Sequence, residues 1–295
     1  MNLMRRIFPK TVSDVTGAGS MKLPAVNDAL RPIVAEYIKA ASDAFILPKF
    51  GNLQSADIDF KTGPYDLVTV ADRDAEAWLA PRLQDLQAGH CIGEEAVAEK
   101  PELRQNAGDG YAWSIDPIDG TNNFVNSVTD FCSMVALMWN GIPLQCWIWL
   151  PVSRRLYYAA AGSGAYCYRD TSAIALQISQ PTVDPLFMRG ASNTKGLEEP
   201  YKSTVLTRMR TIPGRHYIGS AGVLATRIAE GEEDFLMHGR ATPWDHAPVD
   251  LLCREAGGHA AMVTTTKPFN AVNDGPIMAA SSLFGWQELH RHVWI

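Results

Sequence analysis

Apolar residues recur at helical spacing between Val26 and Phe50, where Leu30, Ile33, Val34, Tyr37, Ile38, Ala41 and Phe45 share one face, so an amphipathic helix is predicted there. A second helix is predicted from about Val70 to Leu86, followed by short strands at His90 to Ile92 and Tyr111 to Ile115. The longest apolar stretch, Phe131 to Leu150, is broken by Asn140-Gly141 and Pro143. That pattern fits two buried strands joined by a tight turn and rules out a continuous membrane helix. Turn signals such as Gly162-Ser163-Gly164 extend the pattern to about Ile178 as a meandering antiparallel sheet.

Past Pro181 the pattern changes. Strand-like runs, one of them at His216 to Ile218, alternate with helical runs near Tyr201 to Met209, Ala221 to Glu230 and His246 to Ala256. The chain therefore divides into an N-terminal extension (1–20), an α+β half carrying acidic motifs (21–181) and an α/β half completing the site (182–295). The extension contains Arg5, Arg6 and Lys10 but no apolar run of signal-peptide length. Repeats and linker-like runs of Ser, Pro or charge are not found.

A formal net charge of -6 gives no global pull toward nucleic acid or an anionic membrane. Cysteines 91, 132, 146, 167 and 253 are scattered and lack a CxxC spacing, which removes a disulfide framework and a zinc ribbon from consideration. Reduced thiols in a cytoplasmic protein are expected. Tryptophans 113, 139, 147 and 149 are assigned to core or interface, and His246 and His259 lack a metal constellation with the cysteines.

Chemistry concentrates in four acidic segments. In Trp113 to Phe124 an apolar strand runs into Asp116-Pro117-Ile118-Asp119-Gly120-Thr121. Pro117 fixes the backbone and Gly120 permits close approach, so both carboxylates and the Ile118 carbonyl can face one hard cation. Amides from Gly120 and Thr121 onward can open a helical turn that favours a phosphate oxygen. Upstream, Gly93-Glu94-Glu95 ends another apolar run; downstream, Asp245 stands just before a predicted helix, as metal ligand or helix cap. The segment Asp66-Leu-Val-Thr69-Val-Ala-Asp72 leads into the second helix, where Asp72 caps the helix or reaches a catalytic hydroxyl.

Together GEE (93–95), DPIDGTNNF (116–124), DLVTVAD (66–72) and WDHA (244–247) resemble the inositol monophosphatase family, in the same order and over most of the chain. The resemblance implies a layered αβαβα sandwich of the inositol monophosphatase and sugar phosphatase type, a homodimer, and two or three Mg2+ ions in the site. Glu94, Asp116 and the Ile118 carbonyl would hold one ion; Asp116, Asp119 and Asp245 a second; Glu94 and waters a third. Asp72, Thr121 and Glu94 take the catalytic roles, with Asp72 and Thr121 polarising the attacking water. Substrate contacts fall at Asp119, Gly120, Thr121, Gly219, Ser220, Ala221 and His238.

The implied reaction is hydrolysis of a small phosphomonoester such as inositol monophosphate or a related polyol or sugar phosphate. Histidinol phosphate, sugar bisphosphates and the 3′-phosphate of adenosine bisphosphate are alternatives, as is a non-enzymatic role with RNA or the transcription machinery. One departure bears on specificity. His238 stands where inositol-specific members carry a glutamate, and an imidazole cannot reproduce a carboxylate's acceptance of two hydroxyl hydrogen bonds. His238 and Arg240 point instead to a more anionic substrate. Pro248 and Val249 also differ from the small residues usual after the WD motif; Pro248 is expected in a first helical turn.

Overall fold

Amphipathic spacing gives α1 (Leu30–Ala41) a buried stripe of Leu30, Val34, Ile38 and Ala41, and the helix continues through a π-helical turn at Ser42–Ile46. It is shorter than the predicted 26–50 span. The computed structural model describes residues 23–61, 67–170 and 172–294, so the 1–20 extension and Asp66 lie outside the described residues. A short antiparallel pair, β1 (Ile58–Phe60) and β2 (Leu67–Thr69), leads into α2 (Val70–Leu86), which matches its predicted bounds.

Next come β3 (His90–Gly93), α3 (Glu94–Glu99), β4 (Tyr111–Asp119) and α4 (Thr121–Val125). The predicted meander follows as β5 (Cys132–Trp139), β6 (Ile142–Leu150), β7 (Arg155–Ala160), β8 (Gly164–Arg169) and β9 (Ser172–Leu176). Strands β3 to β9 form one seven-stranded sheet in sequence order, parallel only between β3 and β4. The strand carrying the central motif runs further than predicted, through Asp119. Its ladder to β5 becomes irregular between Asp116 and Asp119, where Pro117 supplies no N–H.

The second half adds β10 (Arg189–Asn193), α5 (Tyr201–Met209), β11 (Gly214–His216), α6 (Ala221–Glu230), β12 (Phe235–His238), α7 (Pro243–Glu255), β13 (His259–Met262), β14 (Ile277–Ala280) and α8 (Leu283–Val293). Its five strands order as β11-β10-β12-β14-β13. The strand predicted at 216–218 ends at His216. Helix α7 begins three residues earlier than predicted, because Thr242 is the N-cap and Pro243 occupies the first helical position. Pro248 consequently sits inside α7 and not in its first turn.

Side-chain alternation explains the layering. In β4 to β6, Trp113, Ile115, Val135, Leu137, Trp147 and Trp149 pack toward α1 and α2, while Ala112, Met134, Ala136, Cys146 and Ile148 pack toward α6 and α7. On the other sheet Leu236, Ala260 and Ala279 face α6 and α7, whereas Phe235, Met237, Ala261 and Met278 face α5 and α8. The result is an αβαβα sandwich whose sheets are covered on both faces, which is why their strands read as near-continuous apolar runs. Trp147 is fully buried and donates from Nε1 to the Arg31 carbonyl at 3.1 Å. Trp147→Ala is expected to cost about 3–5 kcal/mol, checked by chemical denaturation.

Candidate active site

Each predicted acidic residue sits where a strand gives way to a helix. Glu94 opens α3 directly after β3, Asp116 and Asp119 end β4 just before α4, and Asp245 lies in the first turn of α7. Asp245 is therefore not the cap of its helix. One carboxylate oxygen from each of Asp116, Asp119 and Asp245 lies within 4.8 Å of the others, so the structure brings residues 129 positions apart together.

These carboxylates are held differently. Asp119 Oδ2 accepts from the Ser220 hydroxyl at 2.5 Å and the Gly222 amide at 2.6 Å, which ties it to the N-terminus of α6. Of the predicted Gly219-Ser220-Ala221 contacts, Ser220 thus places its side chain on a carboxylate; it also caps α6 through the Val223 amide. Asp116 has the opposite environment. It is 1% exposed, and its buried Oδ1 has no hydrogen-bond partner. Burial pushes the Asp116 carboxyl well above the usual range, and the charges of Glu94, Asp119 and Asp245 push it further. Burial, and then the charges of Asp119 and Glu94, raise Asp245 to about 7. Desolvation also raises Asp119, against the pull of its Ser220, Gly222 and Ala221 bonds.

Asp72 caps its helix and also approaches the Thr121 hydroxyl. Its Oδ2 accepts from the Thr69 amide at 2.8 Å and the Thr69 hydroxyl at 2.6 Å, completing the capping box of α2. Its Oδ1 faces the Thr121 hydroxyl at 3.5 Å, and that hydroxyl donates to the Ile118 carbonyl at 3.0 Å. Burial lifts Asp72 to about 7. Gly120 has φ +94°, and a Cβ there would meet the Asp130 carbonyl, Ser220 and the Gly219 carbonyl at 3.1–3.2 Å, so glycine sets the turn from β4 into α4. Asn123 then stitches that turn down, donating to the Asp130 and Ile218 carbonyls at 2.6 and 2.7 Å.

Two participants escaped sequence reasoning. Lys61 Nζ reaches Glu94 at 2.7 Å and Glu95 at 2.6 Å, and those carboxylates hold it charged despite its burial. A lone lysine thirty-three residues upstream carries no signal. Glu76 is buried and accepts from the Glu95 and Ala96 amides, each at 2.8 Å, fixing the start of α3. Here a signal existed, because Asp72 and Glu76 are one helical turn apart on one face. Glu76 also explains Gly93: a Cβ at that position would lie 2.2 Å from the Glu76 carboxylate.

His238, the predicted specificity residue, is half-buried at the end of β12, and its Nδ1 lies 3.0 Å from Nε2 of the fully buried His246. Arg240 is 57% exposed and pairs with Asp274. The five cysteines are free, four of them buried. Among the described residues no helix is long and apolar enough to cross a membrane.

Comparison with known proteins accounts for this assembly. The model of the inositol monophosphatase family matches residues 30–294, which is nearly the whole described chain. The protein belongs to the inositol monophosphatase family. Members are phosphoric monoester hydrolases, and this chain is one. It is 29% identical to inositol-1-monophosphatase of Bacillus subtilis over 231 residues, covering 77% of this chain and 84% of that one. Its fold matches a solved IMPase of Thermotoga maritima with a TM-score of 0.73 at 24% identity, over 90% of this chain and 96% of that one. A solved IMPase/NADP phosphatase complexed with Mg2+ and phosphate shares the fold at a TM-score of 0.71 and 17% identity, over 89% and 94% of the two chains.

Two predictions follow from the crowding. Gly93→Ala is expected to destabilise the protein by about 1–3 kcal/mol, because Glu76 must yield its place; thermal unfolding measures it. Asp72, Glu76 and Asp245 have folded-state pKa values near 7, above the ordinary carboxylate range. The metal-free protein therefore keeps the associated stability below about pH 4 and loses it as pH rises through about 7. Its melting temperature should fall from pH 5 to 8, with added magnesium restoring more at pH 8 than at pH 5.

Proposed function

We propose that the protein hydrolyses a small phosphomonoester, inositol monophosphate or a related polyol or sugar phosphate, with magnesium in the acidic cluster. The observation that carries this reading is the buried trio Asp116, Asp119 and Asp245 with its unpartnered Asp116 oxygen: concentrated negative charge with an open donor atom and, among the described residues, no ion pair to a protein cation. The donors are all oxygens, which suits a hard cation. Glu94, Asp116, the Ile118 carbonyl, Asp119 and Asp245 would hold two or three ions, and the Mg2+ and phosphate of the solved IMPase/NADP phosphatase support that choice. When bound, magnesium neutralises phosphate charge and lowers the pKa of water.

The chain's own residues do the rest. The Thr121 hydroxyl lies between the Ile118 carbonyl and Asp72; turned from the carbonyl to Asp72, it is suited to pass the proton of the attacking water to that carboxylate, whose pKa is near 7. Glu94 completes the base of the site. The opening amides of α4, at Gly120 and Thr121, have no partner within the helix and are suited to hold a phosphate oxygen beside Asp119. The leaving group then lies toward Gly219, Ser220, Ala221 and His238. Free thiols throughout the chain support a cytoplasmic protein, and a homodimer completes the reading.

Phosphate release from a panel of phosphomonoesters, including inositol monophosphate, histidinol phosphate and a 3′,5′-bisphosphate nucleotide, tests it with and without magnesium. Wild type should require magnesium, and Asp245→Asn should lose at least about a hundredfold in kcat/KM, as expected for removal of a charged ligand. Release that is indifferent to both, or absent with every ester, would refute the assignment.

A further inference from the structure

A buried pair of imidazoles adjoins the acidic cluster, and only one of the two was singled out from sequence. His246 follows Asp245 in the first turn of α7 and is fully buried; His238 ends β12 and is half-buried. Hydrogen-bond direction along this pair can be worked out from its fixed end. The Thr242 amide, necessarily a donor, lies 3.0 Å from His246 Nδ1, so that nitrogen presents its lone pair. The Thr242 carbonyl, 3.2 Å from the same nitrogen, already accepts the His246 backbone N–H at 3.0 Å. With Nδ1 accepting, the hydrogen of His246 sits on Nε2 and points along the 3.0 Å contact to His238 Nδ1.

The same logic passes to His238. Its Nδ1 accepts, so its hydrogen sits on Nε2. Were the ring protonated, Nε2 would still carry a hydrogen, so its character as a donor does not depend on ionisation. Nε2 is not among the buried polar atoms that lack a partner, so it is not sealed from solvent. Positive charge also lies nearby along the chain. Arg240 and Arg104 share one carboxylate, Asp274, at 3.2 and 3.9 Å, leaving an excess positive charge two residues from His238. Arg104 also donates to the Ala241 and Asn273 carbonyls at 2.9 and 3.0 Å, which fixes the connection between β12 and α7.

We infer that His246 is a positioning residue that locks His238 as a hydrogen-bond donor, and that this donor selects phosphomonoesters whose leaving group ends in an anionic oxygen over those with neutral polyol leaving groups. This rests on the phosphatase reading above. A glutamate at position 238 would only accept and would repel such a group; a fixed Nε2–H attracts it. The shared chemistry is an anionic oxygen, from either a carboxylate or a second phosphate.

Three esters of one carbon skeleton separate these cases: glycerol 1-phosphate, 3-phosphoglycerate and glycerol 1,3-bisphosphate. With magnesium, wild type should favour at least one anionic ester over the neutral one by about tenfold or more in kcat/KM, expressed mainly in KM, as a charge-assisted hydrogen bond warrants. Which anionic ester leads identifies the carboxylate or the phosphate as the natural group. His238→Glu should reverse the preference. His246→Leu, which removes the donor to His238, should reduce it severalfold, and His246→Gln, whose amide can accept from Thr242 and donate to His238, should restore it.

An independent readout needs no turnover. In the metal-free protein, 15N ring shifts should show His238 with a pyridine-type Nδ1 and a pyrrole-type Nε2, and this signature should be lost in His246→Leu. A pyrrole-type Nδ1 on neutral His238 overturns the inference, as do equal rates on all three esters with unchanged ratios in the variants. Magnesium-dependent release with a flat ratio sinks this inference alone. No release from any ester sinks the phosphatase reading with it.

Discussion

Negative charge confined away from water is the constraint around which this protein is organised. Asp116, Asp119 and Asp245 are brought within 4.8 Å of each other by strand and helix ends from both halves of the chain. Without a cation, burial and mutual repulsion force at least part of this set to hold protons, as the raised pKa values of Asp116 and Asp245 express. Every neighbouring contact can be understood as managing that charge. Helix α6 spends its N-terminal amides and Ser220 on Asp119, while Asp116 is left with an oxygen that no protein group satisfies.

Glu94 is managed in a third way. It shares the ammonium of Lys61 with Glu95, and Glu76 braces the same turn through two backbone amides. In the metal-free chain this end of the site thus carries its own counterion, whereas the Asp116 end has none among the described residues. The two ends are consequently unequal before any ligand arrives, and the end without a counterion gains most from a divalent cation.

Much of the fold was legible because it follows from patterning. Strands buried on both faces give continuous apolar runs, and the bounds of α2, α5 and α6 coincide with amphipathic segments ended by turn residues. The start of α7 was misplaced because Pro243 and Pro248 both resemble boundaries, and only the Thr242 cap decides which one begins the helix. The clustered carboxylates were legible as acidic residues at apolar run ends. Lys61 and His246 were not, since a single lysine or a buried histidine acquires meaning only from the side chain it meets across the fold. Glu76 lay within reach, one turn beyond Asp72, had the spacing been followed along the helix.

Asp72 divides its two oxygens between tasks, one closing the capping box of α2 and the other facing Thr121. One side chain therefore ties the start of α2 to the turn that follows β4. Apolar substitutions at this position would release both ends at once, whereas asparagine, whose carbonyl oxygen can still accept from Thr69, would keep the cap. Drift at this position is therefore checked by the quality control that removes unfolded chains, whatever use a cell has for turnover.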